Sequence, residues 1–96
     1  MAKKIQIGPA ERLGLELPAR HREILLDINS LDPDLVRRIQ DAPSNQPMVE
    51  FTLEELNRLA CYVDAETSHT TSAATKDKLK TVASRICSLE ELFERR

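Results

Sequence analysis

The stretch IQIGPAERLGLEL, Ile5 to Leu17, decides the fold class of this chain. Its apolar residues Ile5, Ile7, Leu13, Leu15 and Leu17 fall on every second position, interrupted by Gly8, Pro9 and Gly14. A period of two belongs to a strand, and glycine and proline mark its breaks. A strand also needs a partner to take its main-chain hydrogen bonds. The rest of the chain, read on its own, offers no convincing one, so residues 1–17 are expected to form an extended arm. The glycines point the same way. Gly8 and Gly14 are the only two, and from Leu15 onward none is supplied for the positive-φ turns of tight hairpins. The expected fold class is therefore all-α.

Helix signals follow in order. Pro18 suits a first helical turn, because its missing N–H has no carbonyl to bond, and Ile24, Leu25 and Ile28 then share a face. This predicts a short helix over 18–28. Asp32 as a cap, Pro33 in the first turn and the stripe Leu35, Val36 and Ile39 predict a second over 33–41, stopped by Pro43. After the loop PSNQP comes FTLEEL, in which Thr52 and Glu55 have capping-box spacing and Phe51 and Leu56 bracket them as a hydrophobic staple. A helix over 52–69 is expected, with Leu53, Leu56, Ala60 and Val63 on its apolar side.

The last helix, 73–94, carries Leu79, Val82, Ile86, Leu89 and Phe93 at steps of three and four. That seam suits a partner helix. SLEEL at Ser88 echoes TLEEL at Thr52, yet Leu89 and Phe93 keep phase with Ile86, so the helix is expected to continue through Ser88. The architecture predicted is one domain over 18–96, with two short helices packed on a long antiparallel hairpin.

Composition limits the function. Ninety-six residues enclose one modest core, and with aromatics at 3% it must consist of aliphatic side chains. A net charge of −2 disfavours a protein built on phosphate contacts. Arg20 with Arg22, and Arg37 with Arg38, lie on helices in an order that suits a DNA reader, but Glu23, Asp27, Asp32, Asp34 and Asp41 interleave with them and read as a solvated, neutralised surface. Cys61 and Cys87 form no disulfide or zinc pattern and are expected to be buried, reduced thiols. No secretory leader and no apolar run of about 18 residues is present, which places the chain in the cytoplasm and off the membrane.

One helical stretch concentrates reactive side chains. Tyr62, Glu66 and His69 in LACYVDAETSHTT lie on one line of the third helix, and Glu66 and His69 have the Glu-x-x-His spacing of helical di-metal proteins. A metal site would need further carboxylates from facing helices. The line also flanks the apolar stripe and sits in the last turns, where a histidine meets the negative end of the helix dipole. The trio therefore reads as a polar rim of the core, with Glu66 and His69 the candidate metal ligands. No catalytic residue and no cofactor is assigned.

The function expected is protein–protein interaction or self-association through Leu79, Val82, Ile86, Leu89 and Phe93. The expected partner is a second copy, giving a homodimer, or another helical protein. A nucleic-acid-binding or antitoxin-like regulator, and a metal-binding protein using Glu66 and His69, are the alternative classes.

Overall fold

A computed structural model describes residues 4–28, 30–43 and 45–95. Along the chain run β1 (Ile5–Ile7), β2 (Arg12–Glu16), α1 (Ala19–Leu26), α2 (Pro33–Asp41), β3 (Met48–Thr52), α3 (Leu53–His69), α4 (Ala73–Leu92) and β4 (Phe93–Arg95). The all-α expectation is overturned: the fold is mixed, with helices and two small sheets. Strand β2 pairs antiparallel with β3, setting Leu13 opposite Phe51 and Leu15 opposite Val49. Strand β1 pairs in parallel with β4, setting Ile5 opposite Phe93.

The missing turn glycines excluded hairpins, not sheets. The β2–β3 pair is closed by two whole helices and the β1–β4 pair by almost the entire chain, so neither needs a tight turn. No described residue has positive φ. The partner of the arm is MVEFT, in which Val49 and Phe51 point inward while Met48 and Glu50 are exposed. Parallel pairing requires a long crossover by geometry, so β4 too can be matched only after the chain has folded.

Beneath the β2–β3 sheet lies one core. Leu15, Leu17, Leu25, Leu35, Val49 and Phe51 pack there with Leu56, Leu59 and Val63 of α3 and Leu79, Val82 and Ile86 of α4. Helices α3 and α4, joined by residues 70–72, share the most extensive contact in the molecule. α4 runs unbroken through Ser88, whose hydroxyl bonds back to the Ser84 carbonyl at 3.1 Å. It stops at Leu92, so Phe93, expected in the helix, lies in a strand.

Among the described residues two charged side chains are buried, and both hold the β2–β3 frame in place. Arg22, expected on a solvated surface, lies inside. Its guanidinium donates to the Leu17 carbonyl at 2.8 Å, the Pro43 carbonyl at 2.9 Å and the Gln46 carbonyl. It thereby ties the end of β2 and the start of α1 to the loop that feeds β3.

Glu55 completes the capping box expected of it, accepting from the Thr52 N–H at 2.8 Å while Thr52 Oγ1 accepts from the Glu55 N–H at 3.2 Å. It also takes a hydrogen bond from Arg38 Nε at 3.1 Å. Burial pushes the Glu55 carboxyl up, but the Thr52 N–H and the Arg38 guanidinium outweigh it and hold the group below its usual range. A depressed folded-state pKa means that the unfolded chain binds the proton more readily. The stabilisation is complete above the ordinary value of 4.5 and is lost as pH falls through the folded value. Glu55→Gln is therefore expected to lower stability at neutral pH, with the gap to wild type closing below pH 4.5. Urea unfolding at several pH values checks this, and a gap independent of pH would refute it.

Candidate functional surface

The sequence-predicted residues divide into those spent on the fold and those left outside. Leu79, Val82 and Ile86 are at most 1% exposed and face the core of their own chain. Leu89 and Phe93 are half-buried against it. The seam expected to meet a partner helix thus meets α3 and the β2–β3 sheet, because the strands bring that sheet and α1 over the hairpin and enlarge the core.

Tyr62 packs at the edge of the same core, Glu66 is half-buried, and His69 is exposed. His69 Nδ1 lies 2.6 Å from the Ala65 carbonyl, which places the ring proton on that nitrogen. Thr67 and Ser68 bond in the same backward sense to the Val63 and Asp64 carbonyls at 2.7 and 3.2 Å. These side chains bond back to carbonyls one turn earlier, which the helix's own N–H groups already use. Among the described residues no three of His, Cys, Asp and Glu gather as metal ligands would. Glu66 and His69 remain a pair on one helix face.

The arginines of the short helices are largely engaged. Besides Arg22 and Arg38, Arg20 pairs with Glu23 at 3.4 Å, and Arg58 of α3 pairs with Asp32 at 2.7 Å. The second histidine, His21, has its pKa lowered by burial first and then by Arg85 and Lys78, with Glu16 opposing. It sits neutral where α1 meets α4.

Two grooves remain. The larger, about 850 Å³, lies between α2 and the outer face of the β2–β3 sheet. Arg12, Arg37 and Arg38 line it together with Asp34, Asp41, Glu50 and Glu55. Gly14 forms part of its floor: a Cβ there would come 2.8 Å from Met48 Cε, so the missing side chain lets Met48 lie across the strand. With both signs of charge interleaved, this groove concentrates neither anions nor cations.

The smaller, about 500 Å³, opens where α3 begins and α4 ends. Leu53 and Phe93 supply its apolar lining, and Glu54, Glu90 and Glu94 outnumber Lys4 among its charged groups. Because Asn57 of α3 and Glu90 of α4 line it together, it also shows which flanks of the two helices lie side by side.

On α3 the outer flank carries Asn57, Cys61, Asp64 and Ser68, all exposed. On α4 it carries Lys80, Ser84, Cys87 and Glu91, also exposed. Both cysteines, expected inside, are free and exposed on this flank. The expectation rested on residue type, since cysteine is among the residues most often buried. On the helical wheel Cys61 lies about 140° from Leu56, which already pointed it outward. No helix among the described residues is long and apolar enough to cross a membrane.

Comparison of the chain with protein-family models, with curated proteins and with solved structures gave no match.

Proposed function

We propose that this chain is a self-association module, a homodimer in which the outer flank of the α3–α4 hairpin is covered by a second copy. The observation that carries this reading is the exposure of Cys61 and Cys87 together on that flank, against the strong tendency of cysteine to be enclosed. The exposed Ser68 and Ser84, on the same sides of α3 and α4 as Cys61 and Cys87, are small enough to let two helical hairpins approach closely into a four-helix arrangement. The role in this reading is binding: the buried Glu55 carboxylate is occupied with a helix cap and an arginine. A cytoplasmic setting suits two unpaired thiols, which stay reduced there.

Concentration-dependent thiol labelling tests the reading. Cys61 and Cys87 should react quickly with a maleimide in dilute protein and become protected as light scattering reports a rising mass. A monomer with fully reactive thiols at roughly tens of micromolar, where a specific homodimer is normally populated, removes it.

A further inference from the structure

Helix α4 is electrically lopsided along its outer flank. Lys76 and Lys80 stand near its start, and Glu90 near its end, with Glu94 just beyond in β4. At about 100° per residue, Lys76, Lys80, Ala83, Cys87 and Glu90 stay within about 40° of a common line. Among the described side chains none of these four charged groups takes part in an ion pair, whereas Arg20, Arg38, Arg58 and Arg85 all do. Glu94 accepts only a neutral hydrogen bond, from Gln6 at 3.3 Å. The chain thus keeps two unpaired lysines at one end of a surface and two unpaired carboxylates at the other. The carboxylates line the 500 Å³ groove whose apolar wall is Leu53 and Phe93.

We propose that the second copy docks antiparallel along α4, placing Lys80 of each protomer in the carboxylate-lined groove of the other. The proposal rests on the self-association reading and adds the orientation and register. The spacing along α4 is self-complementary: Lys80 and Glu90 lie equally far from Arg85 on either side, and Glu94, in β4, shares the groove with Glu90. A two-fold axis at the height of Arg85 therefore sets Lys80 against the partner's Glu90, with Lys76 one turn nearer the start of α4. It sets Ala83 against the partner's Cys87, where two small side chains meet. At 1.5 Å rise, Lys80 and Glu90 are about 15 Å apart on one helix, so both pairs form at once. An isologous contact satisfies each charge twice for one operation. A parallel arrangement would stack lysine on lysine. The groove explains why lysine is the residue that enters: its long apolar stem lies along Leu53 and Phe93 while the ammonium reaches Glu90. Rim charges of this kind set orientation and partner choice, and covering the flank supplies the affinity.

Charge reversal tests the arrangement. Two variants are compared by sedimentation, with thermal melts to show that each is folded: Lys76→Glu with Lys80→Glu, and Glu90→Lys with Glu94→Lys. Each alone should weaken dimerisation about tenfold or more at low salt. Mixed in equal amounts they should recover dimers, because each reversed end meets its complement in the other chain. Dimerisation of the wild type should also weaken as salt is raised, a measurement that needs no variant. If both variants dimerise like wild type, or if folded variants fail to recover on mixing, the orientation is wrong while self-association stands. If the wild type stays monomeric with reactive thiols, both fall.

Discussion

Replacing Arg22 by methionine is expected to cost about 3–5 kcal/mol of folding stability, a large share of what a domain of this size possesses. Methionine keeps the apolar stem but strands the carbonyls of Leu17, Pro43 and Gln46, to which the guanidinium donates. Each deserted carbonyl that is shut off from water costs about 1–3 kcal/mol. Arg20→Met, two residues away on an exposed face, should stay within about 0.5 kcal/mol. Arg22→Lys should fall between them, because one ammonium cannot span three acceptors held in a planar fork. Urea unfolding of the three variants provides the comparison. An Arg22→Met midpoint close to that of Arg20→Met would mean that the guanidinium does not clamp the chain.

A second large loss is expected for Phe51→Ala, about 3–5 kcal/mol. Phe51 is fully buried, and it faces Leu13 across the β2–β3 pair. Its neighbour Met48 is 45% exposed on the other side of the same strand, and Met48→Ala should change stability by about 0.5 kcal/mol or less. Val49→Ala should side with Phe51, and Glu50→Ala with Met48. This alternation is the signature of a strand. Equal costs along Met48 to Phe51 would instead fit a coil whose phenylalanine only brackets the start of α3.

Helix starts and phases were readable locally, because their causes lie within a few residues, whereas the stop of α4 at Leu92 is set by the pairing of β4 with β1. Pro33 with Asp32 and the Thr52–Glu55 box each act across one turn, and the apolar steps of α3 and α4 identify the faces that enter the core. The Tyr62, Glu66 and His69 line was equally visible on a helical wheel. The strands were not. Alternation at Leu13 to Leu17 and at Met48 to Thr52 spans only a few residues in each segment, and neither segment names its partner. The arginine that joins the frame was hidden for the same reason, since nothing near Arg22 in sequence reveals that two carbonyls of the distant loop before β3 converge on it beside that of Leu17.

The surface divided along the same boundary. The chain by itself determined that α4 carries lysines near its start and glutamates near its end, and that one aliphatic core is all it can hold. Only the tertiary structure decided that Leu79, Val82 and Ile86 belong to that core, that Cys61 and Cys87 lie outside it, and that Glu90 and Glu94 share a groove with Leu53 and Phe93. The reason is range. Capping, periodicity and helix polarity are set by neighbours along the chain, whereas strand pairing and burial depend on which distant segments come together.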